Sequence, residues 1–423
     1  MKTEVFKNPL LGEYTVATLD NGLHIYVMEK VGFNSCYALY GTKYGSIDTK
    51  FSRNGGETIE VPAGIAHFLE HKLFESEEGD AFARFSETGA YCNAFTSFDK
   101  TCYVFSCSKN FDKNLDILLD FVQSPYFTPE TVSKEQGIIG QEIKMYEDNP
   151  GWRVFFNLLC SMYENHPVKI DIAGTVDSIA QIDDKLLYEC YNTFYNPSNM
   201  FVCIAGNVNA KKVIERVSES IKPCEKITVE RASFSETERV LRHYVEQELE
   251  VAKPLFCFGY KDVTETAPTV RDRVIAGILL EILCGDCSEL YRSLLDASVI
   301  GDEFSAEYFQ GEGYAAFVIE GESDTPERVA EAIKAEVERL IKEGIDEKLL
   351  TAIKRSAYGD AVKRFDSTDN IVTDMMDCAL FGGNLFDTAD ILREITSADI
   401  IARLKTLKPE SSVLSVVRGK KKG

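Results

Sequence analysis

Ile65-Ala-His-Phe-Leu-Glu-His-Lys-Leu-Phe74 and Ile275-Ala-Gly-Ile-Leu-Leu-Glu-Ile-Leu-Cys284 stand at comparable places in the two halves of the chain, and both carry apolar residues at helical spacing. Each follows a strand-rich opening. The pairing extends outward from there. Asn199-Met-Phe-Val-Cys-Ile-Ala-Gly206 and Ser412-Val-Leu-Ser-Val-Val-Arg-Gly419 both read as a buried strand stopped by glycine. The helical stretch Glu135 to Tyr146 finds a counterpart in Leu349 to Tyr358. Element order repeats although identity is low, so the reading is a duplication. Strand-like segments (Leu23 to Met28, Cys36 to Gly41, Thr101 to Ser106) come in blocks. Lys113 to Gln123 and Arg328 to Lys342 read as long amphipathic helices. Blocks of each kind favour an α+β class, with largely antiparallel sheets packed by helices, over a doubly wound parallel sheet. Polar, weakly periodic residues between Lys222 and Glu238 mark the boundary. The expected domains are therefore 1–222 and 239–423, joined by a linker over 223–238.

With 423 residues, 44% hydrophobic and 27% charged, the chain can bury an ample core, which excludes disordered and disulfide-stapled classes. The formal net charge of -22 repels phosphate backbones, so no nucleic-acid partner is expected. No apolar run is long enough to span a membrane, and Met1 to Thr18 lacks the apolar core of a signal peptide. Twelve scattered cysteines then fit reduced, mostly buried thiols in a cytoplasm. Cys284-Gly-Asp-Cys287 is a solitary C-x-x-C without a second pair or a thioredoxin-like surround.

Two of only five histidines fall in His67-Phe-Leu-Glu70-His71. Positions i and i+4 of a helix share a face, so both imidazoles can bind one ion. Glu70, on the flank of that face, can touch a water on the metal without being a ligand. The arrangement is H-E-x-x-H run backwards. A hydrolytic zinc site needs a third protein ligand, and the best candidate is Glu142. It lies seven residues after Glu135, and the two share a helical face with a drift of about 20°. The neighbouring Ile138 and Ile139 suggest that this acidic stripe turns inward.

These segments together resemble the pitrilysin/insulinase family of zinc peptidases. Gly89-Ala-Tyr-Cys-Asn93-Ala94-Phe95-Thr96-Ser-Phe-Asp-Lys-Thr101-Cys-Tyr103 is similar to the family's glycine turn and active-site strand. His166-Pro167 with Gly174-Thr175, Tyr195-Asn-Pro-Ser-Asn-Met200 and Gly206-Asn-Val208 resemble its later landmarks. The two-half architecture resembles the processing-peptidase branch, in particular bacterial members whose genes occur beside a metal-less homologue. The resemblance implies one zinc per chain, with His67, His71 and Glu142 as ligands. It makes Glu70 the general base and Glu135 a carboxylate that orients the site from behind. It implies that Asn93, Ala94, Phe95 and Thr96 bind substrate, and that two such chains enclose a chamber of which this one forms half a clamshell. His24, His166 and His243 match no ligand position. In the second half Gly277, Leu280 and Glu281 stand where His67, Glu70 and His71 stand in the first, so no second metal is expected. Many family members carry an arginine and a tyrosine in the second half that grip the substrate backbone; here Leu295 and Asp302 occupy those places.

The implied activity is a zinc-dependent endopeptidase hydrolysing extended or unfolded peptides. The competing reading is a metal-binding subunit of an assembly or modification pathway with little general proteolysis. A strand such as Asn93 to Thr96 can pair with an extended peptide through main-chain hydrogen bonds. The expected partners are a polypeptide substrate and a second chain, preferentially a metal-less homologue.

Overall fold

The structure, a computed structural model, describes residues 1–77 and 79–420. The chain opens with strands β1 (Lys2–Asn8), β2 (Gly12–Thr18), β3 (His24–Glu29) and β4 (Cys36–Thr42), then the short β5 (Lys50–Arg53) and β6 (Ile59–Glu60). Helix α1 (Ile65–Leu73) follows, then the two-residue strands β7 (Glu75–Ser76) and β8 (Gly79–Asp80), and α2 (Ala81–Thr88). The hairpin β9 (Tyr91–Thr96) and β10 (Thr101–Cys107) precedes α3 (Phe111–Val122), α4 (Pro129–Glu147), α5 (Pro150–Met162), α6 (Val176–Ile179) and α7 (Asp184–Phe194). Strand β11 (Met200–Gly206), α8 (Ala210–Ser220) and the short β12 (Val229–Arg231) lead into β13 (Tyr244–Leu249) and β14 (Leu255–Asp262). Then come α9 (Val270–Cys284), α10 (Glu289–Asp296), β15 (Ser305–Gly311), β16 (Tyr314–Glu322), α11 (Pro326–Glu343) and α12 (Glu347–Lys363). The chain finishes through α13 (Thr368–Phe381), α14 (Asp387–Glu394), α15 (Ser397–Leu404) and β17 (Ser412–Gly419).

The repeat is visible in the sheets. The first runs β1-β2-β3-β11-β4-β10-β9, and the second runs β13-β17-β14-β16-β15. In the first, β3 and β11 are parallel and all other neighbours antiparallel. In the second, β13 and β17 are parallel and the rest antiparallel. The last five strands of the first sheet thus match the whole of the second in order and direction, and the class is α+β with antiparallel-rich sheets.

Two compact units result. One comprises Met1–Ile143, Asp171–Ala232 and Val362–Phe386; the other comprises Lys144–Ile170, Ser233–Ala361 and Asp387–Gly423. The division differs from the linear one expected from the sequence. Helix α5, from the first half, packs on β14 and β17, while α13, from the second half, packs on β11 and β4. Amphipathic periodicity reveals that a helix has an apolar face but not which sheet receives it. Nor is Lys222–Glu238 a loose tether. Within it β12 pairs antiparallel with β5, Arg231 bonds Asp48 at 2.7 Å, and Glu236 bonds Lys261 at 2.6 Å with both side chains buried.

In the second unit, α9, α11 and α15 bury Ile278, Leu279, Ile333, Val337 and Ile400 against Phe256, Phe258 and Val416 of the sheet. In the first, α1 is buried almost throughout. Its start is set by Gly64, whose φ of 89° belongs to the left-handed region and whose absent Cβ would sit 2.3 Å from the Ala173 carbonyl oxygen. Only glycine allows this approach, which clamps the helix entrance against the loop at Ala173.

Candidate metal centre

Helix α1 projects His67 and His71 from one face, with ring centroids 4.6 Å apart. Helix α4 brings Glu142 between them. Its Oε1 lies 3.7 Å from His67 Nε2 and its Oε2 lies 3.6 Å from His71 Nε2. Both separations are too long for hydrogen bonds. They approach the spacing of about 3.4 Å between tetrahedral donors at ~2.1 Å from a zinc ion. His67, His71 and Glu142 are the one His/Cys/Asp/Glu group among the described residues whose donor atoms converge within 4.8 Å as a metal requires.

The protonation state of His67 fits a cation. Burial, then the neighbouring His71, pushes the His67 imidazole down to about 3, so it is neutral with a free lone pair at neutral pH. Its Nδ1 is buried without a hydrogen-bond partner among the described residues. His71 is oriented from behind, its Nδ1 lying 3.0 Å from Glu135 Oε1. That bond puts the proton on Nδ1 and turns the Nε2 lone pair towards Glu142, the arrangement that fixes a ligating histidine. Burial would lower the His71 pKa, but the Glu135 bond and the charges of Glu70, Glu142 and Glu135 raise it above its ordinary value. The donor set of two imidazoles and one carboxylate thus fits zinc. On α4, Glu135 and Glu142 do turn inward, Ile139 is buried, and Ile138 faces solvent.

Glu70 is buried beside the two histidines, and burial raises its carboxyl above the usual range against the opposing pull of Thr96. The Thr96 hydroxyl donates to Glu70 Oε2 at 2.6 Å. Thr96 ends β9, the edge strand of the first sheet. Next to it, Ser97 N–H donates to Lys100 O at 2.8 Å, which fixes the hydrogen-bonding phase of the hairpin. By alternation, Asn93 and Phe95 spend their main-chain groups on β10, while Cys92, Ala94 and Thr96 turn theirs to the open edge. The Thr96 backbone N–H lies near Glu70 and favours its charged form. The Ala94 N–H donates to its neighbour's side chain, Asn93 Oδ1, at 2.9 Å. A cavity of ≈ 530 Å³ opens here, lined by Glu70, His71, Phe74, Phe82, Asn93 and Ala94 among others.

Of the residues singled out in the sequence, His67, Glu70, His71, Glu135, Glu142 and Thr96 come together, with Asn93 and Ala94 on the cavity wall. Phe95 points its ring out of the sheet, 37% exposed. Sequence reasoning missed the edge-facing main chain of Cys92, the Thr96–Glu70 bond, and Phe74 stacked on Phe82 at 4.2 Å. Strand alternation counted back from the hairpin turn at Ser97 gives the first, but the sequence alone did not mark that turn. The remaining histidines lie elsewhere. His24 meets Thr18, and His243 bonds the Ser412 carbonyl. His166 accepts from Val168 N–H through Nδ1 and donates through Nε2 to the Glu312 carbonyl. Cys284 is buried, which pushes its thiol far up, while Cys287 is exposed. No helix among the described residues is long and apolar enough to cross a membrane.

Comparison with known proteins gives the family. The sequence model of the insulinase family (peptidase family M16) matches residues 54–176, and that of the peptidase M16 inactive domain matches residues 181–357. The uncharacterized zinc protease YmfH of Bacillus subtilis is 42% identical over 389 residues, covering 90% of this chain and 91% of its own. The zinc protease PqqE of Helicobacter pylori is 25% identical across 85% of this chain and 82% of its own. The crystal structure of an Alicyclobacillus acidocaldarius protein described as M16-like superposes with a TM-score of 0.94 at 34% identity, over 98% of this chain and 100% of that one. The chain belongs to the insulinase family of peptidases, M16, as a two-domain member of the zinc-protease type.

Proposed function

We propose that the chain is a zinc endopeptidase for extended or unfolded peptides, binding one zinc ion through His67, His71 and Glu142, with Glu70 as general base. The observation that carries the proposal is the convergence of those three donors beside a buried carboxylate and an unpaired strand edge. Zinc, when bound there, polarises the scissile carbonyl and acidifies a water. Glu70 takes the proton of the attacking water and passes it to the leaving amine, a task favoured by a carboxyl whose pKa burial has raised. Glu135 keeps His71 in the right tautomer. The open edge of β9 aligns the peptide: a substrate strand pairs with the main chain of Ala94 and Cys92, which demands extension and little sequence. A substrate side chain then enters the cavity against Phe74 and Phe82.

A second chain completes this reading. Leu295, at the end of α10, and Asp302 stand where the family resemblance would place a substrate-gripping arginine and tyrosine. A peptide left ungripped forfeits positioning, which can be worth roughly 7–11 kcal/mol for well-oriented reactants. A metal-less homologue bearing the pair would supply it, and the working unit is proposed to be that dimer, in the cytoplasm. If the chain has instead become a metal-binding subunit with little proteolysis, zinc will bind and no peptide will be cut with any such partner. The test is elemental analysis plus hydrolysis of unfolded peptides by the wild type and by Glu70→Gln, each alone and with the homologue. Glu70→Gln is expected to keep its zinc and lose hydrolysis; retention of wild-type rates would refute the general-base role.

A further inference from the structure

We infer that Thr96 is a positioning residue: its hydroxyl ties up Oε2 of Glu70, leaving Oε1 as the oxygen that receives and returns the proton. The inference rests on Glu70 acting as the base. It follows from an inventory of protons. Thr96 Oγ1 has two polar neighbours, Glu70 Oε2 at 2.6 Å and Thr101 Oγ1 at 3.3 Å. Thr101 has one hydroxyl proton and gives it to the buried carbonyl of Tyr44 at 2.9 Å. Toward Thr96 it can therefore only accept, and it does so at a poor distance for O–H···O contact. The single proton of Thr96 goes to Glu70, so Oε2 is an acceptor and stays unprotonated.

The hydroxyl is also held firmly. Thr96 sits opposite Thr101 in the β9–β10 ladder, one residue from the hairpin turn closed by Ser97 and Lys100. The strand proposed to align the peptide is thus the strand that aims the base, so substrate and proton acceptor share one frame. Among the described residues, no other hydroxyl donates to the Glu70 carboxylate. Without it Oε2 loses its one hydroxyl donor, and the last torsion of the carboxylate, a broad two-fold well, is held less firmly.

The test uses zinc-loaded full-length protein, in whichever preparation hydrolyses peptide best, and compares Thr96→Val, Thr96→Ala and Thr96→Ser with Glu70→Gln. Folding is monitored by circular dichroism and zinc by elemental analysis. For Val and Ala, kcat should fall about 10- to 100-fold, as expected for one lost hydrogen bond to a charged group, with KM and zinc content unchanged. Thr96→Ser should recover to within about threefold of wild type, since it restores the same donor. Wild-type kcat in either hydroxyl-free variant, with Glu70→Gln inactive, overturns the positioning role and leaves the base intact. A rise in KM at constant kcat would mean that Thr96 touches substrate instead. An active Glu70→Gln, or a zinc-loaded wild type that cuts nothing, removes both ideas together.

Discussion

Replacing Glu135 with glutamine probes the metal centre at a residue that is not itself a proposed ligand. The carboxylate is 12% exposed and accepts from His71 Nδ1 at 3.0 Å. Glutamine can place a carbonyl oxygen at the same point, so the tautomer survives while the charge that makes the imidazole a better donor is lost. Changes of this kind weaken metal affinity about 10- to 100-fold, or about 1.4–2.8 kcal/mol. The same bond shapes the pH dependence of the metal-free protein. For Glu135, burial raises the pKa but the His71 bond and charge outweigh it, leaving the carboxyl below its ordinary 4.5. Its contribution to stability is full above 4.5 and is lost as pH falls through the depressed value. His71 is raised above 6.5, so its contribution is full below 6.5 and is lost as pH rises through the raised value. Both are therefore present between 4.5 and 6.5. Two assays read this out: zinc competition against a chromophoric chelator, and denaturant unfolding of the metal-free protein at about pH 5.5 and about pH 8.5. The variant should bind zinc more weakly, and its stability deficit should be larger at the lower pH. Unchanged affinity, or an equal deficit at both values, would show that Glu135 is mere scaffold.

Three further outcomes are expected. Gly64→Ala forces a left-handed backbone on alanine and drives its Cβ into the Ala173 carbonyl, so thermal unfolding should show a loss of about 2–4 kcal/mol, and an unshifted melting temperature would contradict the clamp. Glu236→Gln leaves Lys261 buried against a neutral amide and should cost about 3–5 kcal/mol in denaturant titrations. Burial works against the Glu236 charge, but Lys261 and the N–H groups of His166 and Asn165 hold its carboxyl below 4.5, so this stabilisation should be present above 4.5 and fade as pH falls; a wild type and variant that differ equally at all pH values would argue otherwise. Residues 1–222 expressed alone lack α13, which covers β4 and β11, and carry α5 without its sheet. That fragment should bind a hydrophobic dye and melt without cooperativity, and a sharp cooperative transition would show that the first half is self-sufficient.

What was legible in the sequence was whatever depends on residues close along the chain. His67, Glu70 and His71 lie within two turns of one helix, and Glu135 and Glu142 two turns apart on another, so spacing alone set their faces. The repeat carried the shared strand order, because Asn199–Gly206 and Ser412–Gly419 keep their apolar runs and terminal glycines. The exchanged helices were not legible, since α5 and α13 have apolar faces that any sheet would accept. The polar residues of Lys222–Glu238 looked like a solvated linker because a single sequence cannot tell an exposed charge from a paired one; Arg231 and Glu236 are paired. The Thr96–Glu70 bond joins an edge strand to a helix 26 residues earlier, and only the sheet's packing on α1 brings them together.

The hydrogen bond from Ala94 N–H to Asn93 Oδ1 bears on turnover. An open strand edge exposes donors that invite any passing strand, and here one of them is already occupied by the neighbouring carboxamide. A peptide that pairs at Ala94 must evict that oxygen, so it exchanges one hydrogen bond for another and gains little net enthalpy at this point. On the proposed function, departure of such a peptide would let Asn93 Oδ1 accept from the Ala94 N–H again without waiting for water. Binding on such an edge is shallow in both directions. A peptidase of the proposed kind, which releases two fragments after every cut, would be served by a platform that exchanges bonds rather than adding them, and Asn93, the residue that makes it so, is part of the platform itself.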